Sequence, residues 1–410
     1  MLALLSGCCH VPAAAQELVE VRGESGTNSP YMLRDWGGER TRLANQGVAF
    51  SLLYVDDTLS NTRRDVANWS RVRGTLDIDL GKAGVVRGLK FHITAMWQAG
   101  SNLGAHLGAI ANPSSLASIN LFRLDSWWFE KELSRQKLFI RAGQFSGLDS
   151  YGVQPYGDSF INEPLGYAMG NLIPATYEPF SPAGTPAFEV RYVPAKRVYV
   201  KSAIFSGNRD PLHDDETGTH FKFKDAPVIA AEVGYLVKPG LLPAGDGYAG
   251  LYTFGATINT GPFANIGSGR QARTNYLLYF TVNQQVYSSR AHANRRMDAT
   301  ATFDWTPEDV SKTFSQLAVG LRYHGLLRHR DHDTVSVGFV HSRISGVLNR
   351  SLSRAGLSPF GAEKLLELNY ALRLNRWLTF QPVFQYYFDT GADPQRRNNA
   401  VAGFRTMFVL

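Results

Sequence analysis

The sequence predicts an all-β fold: a transmembrane antiparallel β-barrel of about sixteen strands, with short periplasmic turns, long external loops and a short N-terminal helix. Three observations predict it. Segments of about 9 to 12 residues alternate between polar and apolar side chains, as an extended strand with two unlike faces must. That is longer than the five or six residues usual in soluble strands and meets what a tilted strand needs to cross a bilayer. The connections between segments are alternately tight and long, with every long one at the same end. Finally, the 410 residues are 44% hydrophobic and 12% aromatic, too apolar for a disordered chain. Yet no run of about 18 uncharged apolar residues occurs, which excludes a helical membrane protein. The mean hydropathy of −0.19 is compatible with a barrel, which hides only alternate residues in lipid.

Taken in order, residues 1–15 read as the tail of a secretory signal peptide. Leu2 to Leu5 are apolar, and Ala13-Ala14-Ala15 before Gln16 resembles a small-residue cleavage site. Leu5-Ser6-Gly7-Cys8 also resembles a lipoprotein box, so a lipid anchor is the other export reading. Cys8 and Cys9 are the only cysteines, so the body has neither a disulfide framework nor a thiol site. Residues 16–47 form a periplasmic segment in which Glu39 to Gln46 reads as a short helix closed by Gly47. Residues 48–410 form the barrel.

The strand segments lie near 48–56, 70–80, 89–99, 120–133, 138–145, 187–193, 198–206, 228–237, 248–258, 274–286, 300–306, 316–324, 334–342, 363–374, 379–388 and 400–410. In Ser70 to Gly81, Arg71, Arg73, Thr75, Asp77 and Asp79 oppose Val72, Gly74, Leu76, Ile78 and Leu80. In Leu89 to Ala99, Lys90, His92, Thr94 and Gln98 oppose Leu89, Phe91, Ile93, Ala95 and Trp97. Tight connections are Ser134 to Lys137, Pro194 to Arg197 and Asn375 to Leu378; long ones are 100–119, 146–186, 207–227, 259–273 and 346–362. Tyr287 to Ala299 is long for a periplasmic turn. The 146–186 connection is rich in Gly, Pro, Tyr and Phe, and loops of that length are functional or disordered. Its aromatic content favours a constriction loop folded into the lumen over an external cap.

Several motifs run in a shared order. They begin with Asp35-Trp36-Gly37-Gly38, Leu43-Ala44 and Gly47-Val48, then Trp128-Phe129-Glu130 and Gly325-Leu326-Leu327 before Arg330-Asp331. Glu367-Leu368-Asn369-Tyr370, Trp377-Leu378, Gln381-Pro382, Gln385-Tyr386, Asn399-Ala400-Val401 and Gly403-Phe404-Arg405 follow. In these the chain resembles the carbohydrate-selective porins of the OprB family from residue 33 to the C-terminus. The resemblance implies a sixteen-stranded outer-membrane barrel that passes glucose and similar sugars by diffusion. Two departures stand out. The chain ends in Leu410 where outer-membrane barrels commonly end in an aromatic residue. Ser126 stands where members often carry a carboxylate, which bears on the charge of the eyelet.

A sugar path needs hydroxyl donors and acceptors and a ring to stack on, which Arg, Asp, Glu and aromatic side chains supply. Binding must also stay weak enough for exit. Alternation places Arg73, Asp77, Trp128, Glu130, Arg141, Glu189 and Arg191 on polar faces, and these are the expected constriction residues. The bland alternative is that several pair with one another to brace the wall. Expected partners are monosaccharides or small oligosaccharides, outer-membrane lipid and lipopolysaccharide, and the barrel-assembly machinery. The net charge of +7 is dispersed, with no block of five like charges, which argues against nucleic acid.

No cofactor, metal site or catalytic residue is expected. Gly267-Ser268-Gly269 precedes a strand-like segment where a dinucleotide fingerprint needs a helix, and no Gly-x-Ser-x-Gly occurs. Asp210, His213 to Glu216 and His220 form an acidic loop that reads as solvated, with a divalent ion beside lipopolysaccharide as the sharper reading. Two other functions compete: a nonspecific or anion-selective porin, and a soluble exported all-β sugar-binding protein.

Overall fold

The computed structural model describes residues 30–168, 184–208, 211–237, 249–272, 274–292 and 295–410. The expected leader, its cleavage site and both cysteines lie outside the described residues, as do Asp210 and part of the 146–186 connection.

The strands are β1 Val48–Asn61, β2 Val66–Asp79, β3 Leu89–Gly100, β4 Leu121–Leu133, β5 Leu138–Phe145, β6 Thr185–Ala195, β7 Val198–Phe205, β8 Val228–Leu236 and β9 Gly250–Asn259. After a two-stranded loop ribbon, β10 Phe263–Ala264 and β11 Gln271–Ala272, come β12 Asn275–Ser288, β13 Arg296–Trp305, β14 Thr313–His324, β15 Thr334–Ile344, β16 Ala362–Arg373, β17 Leu378–Phe388 and β18 Asn399–Val409. All but the ribbon join one closed antiparallel barrel of sixteen strands, sealed by β1 against β18 with Leu53 opposite Val409 and Asn61 opposite Val401. Closure leaves no unpaired strand edge, the one solution for sheet in lipid. Each expected segment corresponds to one barrel strand. The main difference is at β1 and β2, which run further and meet in a tight turn at 62–65. Likewise β12 and β13 extend to Ser288 and Arg296, which shortens the overlong turn between them.

Alternation sorts the wall. Phe129, Phe254, Phe280, Val337, Leu368 and Phe384 are exposed on the outside, while Glu130, Glu189, Glu232, Asp298 and Glu367 are buried on the inside. At the short-turn end, helix α1 (Glu39–Asn45) packs under the seam. Gly47 follows it at φ +90°, where a Cβ would come within 2.6 Å of the Asp79 carbonyl oxygen. Arg40 stacks on Tyr31 and Trp36, and donates to the carbonyls of Phe50 at 2.9 Å and Leu410 at 3.3 Å.

Two long connections turn inward from the other end. The first, residues 101–120, differs from the external loop that its length predicts: Leu103, Leu107 and Ala111 bury against the wall. The second contributes Phe160, Ile161 and Leu165 to the same cluster, with Leu59, Val340, Leu365 and Val401 of the wall. Room for it is made by glycine. Gly320 of β14 and Gly338 of β15 lie opposite each other, and a Cβ on either would come within 2.5 Å of Phe160 or Leu165. Filling that slot costs about 1–3 kcal/mol. Gly320→Leu should therefore displace the inner loop from an otherwise intact barrel. The expected result is heat-modifiable gel mobility like that of the unmodified protein, with new protease cleavage between residues 150 and 165.

Candidate functional site

The inner loop is tied to the wall by carboxylates and amides that accept or donate across the lumen. Glu232 of β8 accepts from the backbone amide of Gly152 at 2.8 Å, and Glu367 of β16 from those of Ile161 and Asn162 at 2.9 and 2.8 Å. Ser150 donates to Glu189 at 2.6 Å, Thr300 to Gln154 at 2.6 Å, and Gln381 to the Ser159 carbonyl at 2.8 Å. Asp158 pairs with Arg322 of β14 at 2.8 Å. The first loop is held in the same way, by Glu363 accepting from Ala111 at 2.7 Å and by Ser114 donating to Asp57 at 2.6 Å. The inner loop thus lines β6, β8 and β12 through β17, and a cavity remains between it and β1, β2 and β18.

The expected residues fall into two groups. Trp128, Glu130, Arg141, Glu189 and Arg191 sit on adjacent strands β4, β5 and β6 and are at most 4% exposed. Arg141 reaches Glu130 at 3.0 Å and Glu189 at 3.6 Å, and Arg191 reaches Glu130 at 3.6 Å. The chain of charge continues to Lys201, 3.0 Å from Glu232, which also accepts from Tyr279 at 2.6 Å and Tyr199 at 2.7 Å. Glycines admit those two rings: Gly234 lies under Tyr199 and Gly255 under Tyr279. Trp128 stacks on His92 at 4.7 Å, with the Arg141 guanidinium 4.6 Å from its ring. His92 in turn meets Asp77 at 2.7 Å.

Arg73 belongs to the second group, around the open lumen. Arg71, Arg73 and Arg405 line one side of this cavity, and Leu148, Asp149, Gln154, Asp158, Phe160 and Tyr167 line the other. Arg73 is 3.1 Å from both Asp125 and Asp149, and its Nε has no protein partner. Arg405 is paired bidentately with Asp57 at 2.6 and 2.8 Å. Asp158 and Met407 also line a second cavity toward the short-turn end. Sequence reasoning placed Arg71 on a polar face without choosing it, and passed over Arg405, Asp149, Asp158 and Tyr167. Asp149, Asp158 and Glu163 are the only acids between 146 and 186 apart from Glu178, a signal that was available.

Two outcomes follow from these contacts. Replacing Glu130 leaves two buried guanidiniums short of a counter-charge, a loss of about 3 kcal/mol. Glu130→Gln should lower the denaturant midpoint in micelles accordingly, and an unchanged midpoint would contradict the pairing. Glu163, in the loop beside Arg71, has its carboxyl pushed up to about 7 by burial, against the pull of that guanidinium. Between about pH 6 and about pH 8 it passes from mostly neutral to mostly charged. Cation preference, read as a reversal potential across planar bilayers, should rise over that window in the unmodified protein and stay flat in Glu163→Gln.

The family model described as carbohydrate-selective porin, OprB family, matches residues 63–410. Porin B of Pseudomonas aeruginosa is 24% identical over 426 aligned residues, covering 93% of this chain and 92% of that protein. The high-pH structure of Pseudomonas putida OprB matches with a TM-score of 0.83 at 18% identity, covering 94% of this chain and 100% of the other. Its low-pH structure matches with a TM-score of 0.61 at the same identity and coverage. These two likenesses concern the fold.

Proposed function

The chain belongs to the carbohydrate-selective porin, OprB family, and on that premise we propose that sugars cross its lumen between an arginine wall and an acidic, aromatic loop. The protein is a porin of the bacterial outer membrane, a transport channel rather than an enzyme. The observation that carries the proposed path is the shared cavity, which Arg71, Arg73 and Arg405 of the wall line together with Asp149, Asp158 and Tyr167 of the loop. Guanidinium forks donate to ring hydroxyls, carboxylates accept from them, and a tyrosine offers both a ring face and a hydroxyl. Opposed charges along one path also leave little net field, which disfavours selection for simple anions.

In this reading the constriction is formed by the inner loop against β1, β2 and β18. Arg73 is its central donor, because its guanidinium lines the cavity beside Asp125 and Asp149. Glu130, Arg141, Glu189 and Arg191 serve the path indirectly, by bracing the wall on which the loop rests. Trp128 is the filler of that brace, and Tyr167 is the ring available to a passing sugar. Glucose and short glucose oligomers are the proposed cargo, entering by diffusion and held only weakly.

The test is single-channel recording with glucose oligomers as blockers. The unmodified channel should show concentration-dependent block. In Arg73→Ala the half-blocking concentration should rise about tenfold, which corresponds to about 1.4 kcal/mol of lost binding. Unchanged block would remove Arg73 from the path.

A further inference from the structure

The outer wall carries a second concave surface, away from the sugar path. At the long-loop ends of β13, β14 and β15 an outward groove is lined by Phe303, Trp305, Phe314, Leu317, His341 and Arg343. Cross-strand pairing sets these side chains side by side. Phe303 is opposite Leu317, Leu317 opposite His341, and His341 opposite Lys364 of β16; one step higher, Trp305 is opposite Ser315, and Ser315 opposite Arg343. Arg343 and Lys364 are exposed, and His341 is half-buried between them. The Arg343 guanidinium lies 5.1 Å from the Phe314 ring. Among the described residues, none of these three basic side chains has a hydrogen bond or ion pair.

The placement is unusual for a lipid-facing wall. The outward positions of β13 to β17 are otherwise apolar or neutral, and no acid shares the face. The nearest loop acids are engaged: Glu308 accepts from the Gly346 amide at 2.7 Å, and Asp309 from the Asn265 side chain at 3.1 Å. A lysine or arginine facing lipid costs several kcal/mol at the bilayer midplane and little near the interface. These residues sit within three positions of their strand ends, at the level where lipid headgroups begin. Aromatic surface on β13 and β14 and the cations Arg343 and Lys364 on β15 and β16 lie side by side, a site with two unlike halves.

We propose that this groove binds a phosphorylated glycolipid of the outer leaflet, with its phosphate on Arg343, Lys364 and His341 and an acyl chain along Phe303, Trp305, Phe314 and Leu317. Charge complementarity selects an anionic headgroup, and the apolar floor selects a lipid over free phosphate. The site is independent of sugar transfer and uses none of its residues.

The test uses the full-length protein in detergent, with the change in tryptophan fluorescence on titration as readout. The probes are diphosphorylated lipid A, the same lipid with its phosphates removed, and inorganic phosphate. Lipid A should bind saturably, and at least about tenfold more tightly than the dephosphorylated lipid, with inorganic phosphate neither binding nor competing. Arg343→Gln with Lys364→Gln should remove that preference, whereas Lys131→Gln, on the outward face of β4 at the other end, should retain it. Equal affinity for the two lipids in the unmodified protein would overturn the proposal without recourse to any variant. So would competition by inorganic phosphate, or an unchanged preference in a double variant that keeps heat-modifiable mobility.

Discussion

Carboxylates that face inward from the barrel wall hold the interior together, because each must find donors once it leaves bulk water. A closed barrel satisfies its own backbone but says nothing about what fills it. In this chain Glu232, Glu363 and Glu367 take their donors from loop backbone, at Gly152, Ala111, Ile161 and Asn162. Loop amides without strand partners supply donors to these wall acids, and at Glu232 they add to the Lys201 ammonium 3.0 Å away. Glu130, which the loop does not reach, pairs with Arg141 and Arg191 instead. Lumen width is therefore a by-product of charge satisfaction.

The interior is of two kinds in consequence. One group of inward positions is apolar, with Leu59, Val340, Leu365 and Val401 packed on Phe160 and Leu165. Around the passage the inward positions are ionic. The apolar part anchors the two inner loops, and the ionic part presents hydrogen-bonding groups to whatever passes. On the outside the order is simpler, with an aliphatic and aromatic belt interrupted by polar groups mainly near the strand ends.

The strands were legible because alternation is a local property: one segment such as Ser70 to Gly81 displays its two faces without help from its neighbours. The orientation of the loops was legible for the same reason, through connection lengths alone. What passes through the interior was harder to see. Alternation marks Arg73 and Glu130 alike as inward, yet only register around the wall shows that Glu130 meets two arginines in the wall while Arg73 meets two aspartates at the edge of the cavity. The inward turn of residues 101–120 depends on a cavity between wall and loop that no single segment encodes. The slot beneath Phe160 is harder still, since Gly320 and Gly338 are informative only as a pair.

Arg40 has a consequence for the order of events. It joins the segment before the first strand to the carbonyl of Leu410, 370 residues away in sequence. The seam between β1 and β18 is the most distant pairing in the barrel, and contacts of such separation form slowly because the intervening chain must first be ordered. The latch can engage only when both ends have arrived, so it rewards completion and contributes nothing to a half-built sheet. Time, as well as space, is written into that one guanidinium.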